Sequence, residues 1–147
     1  MSKPFVVNVA DAPGLSYPGT GTFAPFEDPN DRFPNFGINI HVLQPGQPNA
    51  KYHAEKVQED FFVLGGRCTL ILNGEERELK QWDFFHCPAG TEHVFVGAGD
   101  GPCWILMVGA RGPGEGPLSG ERNCRQVRSL GARVDRRPES GLRGLGQ

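Results

Sequence analysis

The sequence predicts an all-β fold, a single antiparallel barrel or sandwich, and three observations predict it. Glycine (21) and proline (13) are frequent among the 147 residues, which favours many turns between short strands over helices. Across residues 36–110 apolar residues recur with period two, and no convincing 3.6-residue repeat competes. Each apolar run ends at Gly, Pro or Asn, as strands do before tight connections. A chain of this length holds one domain with one core. The 37% hydrophobic fraction sustains that core because it is concentrated in residues 36–110.

Taken in order, residues 5–9 are a short β-rich run. Residues 11–35 carry Pro13, Pro18, Pro25, Pro29 and Pro34, which exclude a helix or a central strand. This segment is expected to lie across the surface or exchange with a partner subunit, pinned by Phe23, Phe26 and Phe33. In residues 36–43, Phe36, Ile38, Ile40 and Val42 share one face; Gly37, Asn39, His41 and Leu43 share the other. After a turn at 44–49, strands are expected at 51–55, 60–64 and 68–72. Asn73-Gly74 is a two-residue hairpin signal, with its return strand at 75–79. Further strands are expected at 82–87, 93–96 and 103–108, separated by turns at 88–90 and 98–102. The organisation is thus an N-terminal arm (1–35), a barrel (36–110) and a Gly/Pro/Arg-rich tail (111–147). The tail is expected to be partly ordered at most, with a short helix or one more strand at 126–134.

The formal net charge of −2 argues against nucleic acid or a membrane surface as partner. Residues 1–110 hold seven Lys/Arg against thirteen Asp/Glu, whereas residues 111–147 hold eight arginines against four acids. The basic tail reads as a solvated segment, with a docking arm as the alternative. No apolar run approaches the ~20 residues of a membrane span, and the N-terminus lacks the apolar stretch of a secretion signal. A cytoplasmic location is therefore expected, with Cys68, Cys87, Cys103 and Cys124 as reduced thiols. Their wide spacing gives no zinc-knuckle or redox pair.

Chemistry concentrates in two stretches. His53 and Glu55, two residues apart, share a face of an extended segment, and Glu59 follows four residues on. His93 comes after Pro88-Ala89-Gly90. Any one of these side chains is most simply a surface ion-pair member or a turn residue. Brought together on consecutive strands, two imidazoles and carboxylates suit Fe, Mn, Ni or Zn as divalent ions, with coordination positions left open.

These stretches resemble the two motifs of the cupin superfamily of small jelly-roll barrels. Gly46 opens the first; Glu59 and Gly66 keep its spacing; Phe62-Val63-Leu64-Gly65-Gly66 is similar to its usual ending. Pro88, Gly90 and His93 match the second in type and spacing. The motif's His-x-His is absent. Counting from Gly46 puts Tyr52 and Ala54 in the histidine positions. Counting back from Glu59 puts His53 and Glu55 there, with one extra residue in the preceding turn, and this count is preferred. Trp82 stands where the second motif has Gly, and Gly97 where it has Asn. The resemblance implies a single-domain antiparallel jelly-roll barrel with His53, Glu55, Glu59 and His93 as metal ligands. It also implies a homodimer.

Glu55 is alternatively a general base. His86 shares parity with Phe84 and is expected to face inward, as a substrate-contacting proton carrier or a satisfied core histidine. Tyr52 is a pocket wall or a surface ring. Cys68 and Cys87 are small buried hydrophobes, and Phe61, Val63, Phe95, Ile105 and Met107 line an apolar cup. The expected function is a metal-dependent enzyme acting on a small organic molecule, by dioxygenase, isomerase, lyase or cyclase chemistry. The alternatives are a non-catalytic small-ligand binding or sensor protein, and a structural module.

Overall fold

The computed structural model describes residues 3–112. The described chain is all-β apart from a 3-10 turn at Val9–Asp11. Its strands are β1 (Leu15–Ser16), β2 (Thr22–Pro25), β3 (Phe36–Leu43), β4 (Glu59–Gly65), β5 (Arg67–Leu72), β6 (Glu75–Lys80), β7 (Phe84–Cys87), β8 (His93–Ala98) and β9 (Cys103–Ala110). They form a six-stranded sheet ordered β1-β2-β3-β9-β4-β7 and a three-stranded sheet ordered β6-β5-β8, with antiparallel pairing throughout. The Asn73-Gly74 hairpin forms as expected: both residues take positive φ (49° and 83°) and Leu72 pairs with Glu75. That twist matches the right-handed twist of the flanking strands.

Residues opposite each other in a ladder point to the same side, so the register defines the inner wall. In the larger sheet one row is Gly37, Gly109, Glu59 and Cys87. The next is Asn39, Met107, Phe61 and Phe85. The third is His41, Ile105 and Val63. Phe61, Val63, Ile105 and Met107 pack with Leu43, Cys68, Leu70, Phe95 and Cys103 into one buried cluster. The residues expected to line a cup are therefore close-packed core, and in the row of Glu59 the Arg111 guanidinium covers Gly37 while the Glu59 side chain covers Gly109.

Several expectations are corrected. Residues 5–8 form no strand, and the 3-10 turn takes up Val9. The proline-rich stretch lends β1 and β2 to the sheet edge, where proline's missing N–H is tolerated; the sheet thus begins before residue 36. Phe23 stacks on His41 and Phe33 on Phe5. A part-buried ion pair between Arg111 and Glu27, with Arg111 Nη1 donating to the Phe33 carbonyl, ties this arm to the end of β9. Residues 51–55 form no strand, only a bridge at His53. Residues 113–147, including Cys124 and the segment 126–134, lie outside the described residues. Among the described residues, no helix is long and apolar enough to cross a membrane.

The motif departures have local causes. Trp82 adopts φ 75° and makes the turn that glycine would make, its N–H donating to Val63 O at 2.8 Å while its ring lies against Phe62. Gly97 sits where an added Cβ would enter the contact shell of the Gln44 carbonyl oxygen. That approach is held by Gly46 N donating to Gly97 O (2.8 Å) and Gly97 N to Gln47 O (2.9 Å). A Gly97→Ala protein is expected to lose about 2 kcal/mol, seen as a lower midpoint in denaturant; an unchanged midpoint would contradict this packing.

Candidate metal centre

The segment after β3 positions the first histidine. It runs antiparallel to β8 as an irregular extra strand. Asn49 N donates to Phe95 O (2.9 Å), and Phe95 N donates to Asn49 Oδ1 (2.8 Å). His53 and His93 then form a two-way bridge, His93 N to His53 O at 2.9 Å and His53 N to His93 O at 3.3 Å. Between these anchors Ala50, Lys51 and Tyr52 stand opposite Val94 alone. This bulge sets His53 directly opposite His93 and turns it to the same face. His53 thus stands beside His93, as the count back from Glu59 places it, and Tyr52 is an exposed ring on the surface.

Glu59 arrives from the other sheet, at the start of β4, held between Cys87 on β7 and Gly109 on β9. One ligand atom each from His53, Glu59 and His93 lies within 4.8 Å of the others. The imidazole rings are 5.3 Å apart. His93 is 1% exposed and packs against Phe61, Phe85 and Phe95; His53 and Glu59 are half-buried at the mouth.

Hydrogen bonding fixes which nitrogen each ring offers. His53 Nδ1 donates to Lys51 O (2.5 Å) and His93 Nδ1 to Thr91 O (3.0 Å). In the neutral rings Nε2 is thereby left as the lone-pair donor, the arrangement in which an outer-shell carbonyl orients a ligating histidine; at His53 this atom also meets Glu55 Oε1 at 3.3 Å, so a proton held there competes with a metal. Cys87 Sγ lies 3.4 Å from His93 Nδ1 and adds to that support. His93 Nε2 faces Glu59 Oε2 at 3.5 Å, and this buried carboxylate oxygen accepts no hydrogen bond. Two electron-rich atoms facing each other in a buried place require a cation or a proton between them. The donor set therefore fits a divalent ion.

The electrostatics agree. Burial, reinforced by the nearby Glu55 charge, pushes the Glu59 carboxyl up to about 7. His53 is raised, chiefly by its hydrogen bond with Glu55, and His93 is lowered by burial. The Cys87 thiol is pushed up to about 11 by burial, which keeps it neutral.

Glu55 and His86 behave differently from the other expected site residues. Glu55 lies outside the mutually close set, but its Oε1 contacts His53 Nε2 at 3.3 Å. Its carbonyl accepts from Gly90 N (2.7 Å), which clamps the mouth loop to the Pro88–Gly90 turn. His86 points outward, contrary to the inward expectation: it is 53% exposed in its side chain and pairs with Asp60 at 2.7 Å. Phe85 and Cys87 hold the inward parity of β7, so His86 and Phe84 take the outer face. Sequence reading missed Cys87 as a neighbour of His93, because the period-two pattern does not show that the turn between them folds the two side chains onto each other.

The cupin domain family profile matches residues 39–109. No curated protein sequence matches the chain. The fold is similar to a sugar phosphate isomerase from Silicibacter pomeroyi (28% identity, 69% of this chain and 71% of that chain, TM-score 0.58). It is also similar to a polyketide cyclase from Streptomyces resistomycificus (22%, 75% and 80%, TM-score 0.63). A third likeness is to a protein from Acidithiobacillus ferrooxidans with a provisional sugar phosphate isomerase name (21%, 62% of this chain, TM-score 0.55). The chain spans 60% of the length of that protein.

Proposed function

Since this chain is a small cupin-domain protein with a jelly-roll fold, we propose that it is a metal-dependent enzyme acting on a small organic molecule in its barrel. The observation that carries this reading is the convergence of His53, Glu59 and His93, with each ring's Nδ1 tied to a backbone carbonyl and the buried Glu59 oxygen accepting no hydrogen bond. These three residues would hold an Fe, Mn, Ni or Zn ion. When bound, such an ion supplies Lewis-acid polarisation of a substrate oxygen.

The chain's own residues supply the rest. Glu55, beside His53 at the mouth, would take a proton from a carbon next to that oxygen and return it. The apolar wall of Phe61 and Phe85 keeps the inner side of the site dry, which strengthens every charge interaction there. Proton shuttling of this kind is isomerase-type chemistry, and the likeness to the Silicibacter sugar phosphate isomerase supports it over dioxygenase or lyase chemistry. We further propose that the protein works as a homodimer; elution as a monomer with light scattering would reject that part.

The test combines metal analysis with a substrate screen. The wild-type protein is expected to carry roughly one ion per chain, and His53→Ala to lose it while Tyr52→Ala keeps it. Sugar phosphates supplied to metal-loaded protein are expected to turn over, and a chelator to stop that. Full metal in both His53→Ala and His93→Ala would sink the metal site. Chelator-sensitive binding without turnover would leave a ligand-binding protein instead.

A further inference from the structure

The open sheet edge at β7 is unlike the one at β6. In the smaller sheet β6 is an end strand, and it carries Glu75, Glu76, Arg77 and Glu78, all exposed. Charges of this kind keep a free strand edge from pairing with another chain. In the larger sheet β7 is an end strand, and its exposed side chains are Phe84 and His86. The row Ile40, Leu106, Phe62 and Phe84 runs to β7 across the outer face. Exposure rises along that row: Ile40 is buried, Leu106 and Phe62 are half-buried, and Phe84 is 62% exposed. Trp82, in the turn before β7, is 65% exposed, and its ring centre lies 5.8 Å from that of Phe62. Its backbone is in the left-handed region, at φ 75°. Glycine makes such a turn without strain, so the indole is held there against the preference of its own backbone.

We propose that this aromatic edge is the contact surface for a second copy of the chain. The two β7 strands lie antiparallel about a two-fold axis, with Trp82 and Phe84 of both copies on one outer face. This rests on the homodimer reading above and names its surface. A two-fold axis perpendicular to the sheet sets an edge strand antiparallel to its own copy, which is how every ladder of this fold is paired.

Charge and area fit that occupant. The charged groups beside Phe62 and Phe84 on this face are Asp60 and His86, and they pair with each other at 2.7 Å. Elsewhere the chain is acidic, with seven Lys/Arg against thirteen Asp/Glu in residues 1–110. Two copies therefore repel over most of their surfaces and least at this one. At about 200 Å² per ring, Trp82 and Phe84 with the half-buried Phe62 and Leu106 offer roughly 350 Å² of exposed apolar surface per copy. That is most of the roughly 450 Å² in an interface of about 800 Å² per partner. The backbone N–H and C=O groups on the open side of β7 supply the polar remainder, as hydrogen bonds between the two strands.

Light scattering of the full chain after gel filtration tests this surface. Wild type is expected at twice the chain mass. Trp82→Gly combined with Phe84→Ser is expected at the single-chain mass at the same concentration, with the far-ultraviolet spectrum and metal content of wild type. Tyr52→Ser removes an exposed ring away from this edge and is expected to stay dimeric. Trp82→Gly alone relaxes the turn and so keeps the test open if the double variant does not fold. It is expected to weaken the dimer at least about tenfold in dissociation constant. Wild type at the single-chain mass would overturn this surface and the homodimer reading together. If its Trp82 emission, taken by difference from Trp82→Gly, is then shielded from iodide, the edge belongs to another part of the same chain. A dimer of undiminished strength in both variants would overturn the surface alone and leave a homodimer built elsewhere.

Discussion

A His93→Ala protein is expected to lose its metal and also about 3 kcal/mol of stability, whereas His53→Ala loses the metal at a cost within about 1 kcal/mol. The difference comes from where the two rings sit. His93 is 1% exposed and is enclosed by Phe61, Phe85 and Phe95, so truncation leaves a cavity lined by rings that cannot close on it. It also frees the Thr91 carbonyl and the Cys87 thiol from their shared partner. His53 stands at the mouth, where water replaces the lost ring. Removing either ligand is expected to weaken metal affinity by more than about 100-fold, beyond the loss typical of an outer-shell partner. Denaturant unfolding in chelator and elemental analysis without it separate the two effects. A His93→Ala protein as stable as wild type would contradict the burial on which this expectation stands.

Glu59→Gln is expected to stabilise the metal-free protein at pH 8 by about 2–3 kcal/mol, and to do almost nothing at pH 4. The sign follows from burial. The folded-state pKa of Glu59 is raised from 4.5 to about 7, so the native state prefers the neutral carboxyl. Its contribution to stability is full below the unfolded value and is lost as pH rises through about 7. Glutamine keeps the neutral shape at every pH. His53 runs in the same direction, since its raised pKa gives stability that is lost as pH climbs through the raised value. His93 and His41, held neutral by burial, run the other way and lose stability as pH falls below about 6.5. The gap between wild type and variant, followed from pH 4 to pH 8, therefore isolates Glu59 where the wild-type curve alone does not. Added zinc is expected to reverse the order at pH 8, because the ion binds the ionised carboxylate that glutamine lacks. Zinc uptake by wild type is expected to weaken from pH 8 to pH 6, as protons compete at Glu59 and His53. A flat difference between the two proteins across this range would contradict the buried position of Glu59.

What could be read from the chain was local. Alternation in residues 36–43, the Asn73-Gly74 hairpin and the Pro88-Ala89-Gly90 turn before His93 each depend on a few neighbouring residues, and each formed as read. The fixed interval from Glu59 to Gly66 worked for a related reason. Gly66 has φ 74° and sits against the Pro102 carbonyl, leaving no room for a side chain, so it pins the end of β4 and with it the start.

What could not be read depended on partners distant in sequence. Period two defines two faces but does not say which is interior. On β7 the pairing with β4 turned His86 outward, and on β3 the pairing with β9 turned Asn39 and His41 inward. The proline-rich arm joined the sheet because β3 offered an edge, a fact absent from residues 11–35 themselves. The missing His-x-His left two counts for the first ligand. Only the bridge from His53 to His93, across a bulge in one strand, chose between them. A one-residue shift reverses every side chain in an extended segment, so sequence spacing named the candidate ligands and tertiary pairing decided which of them meet.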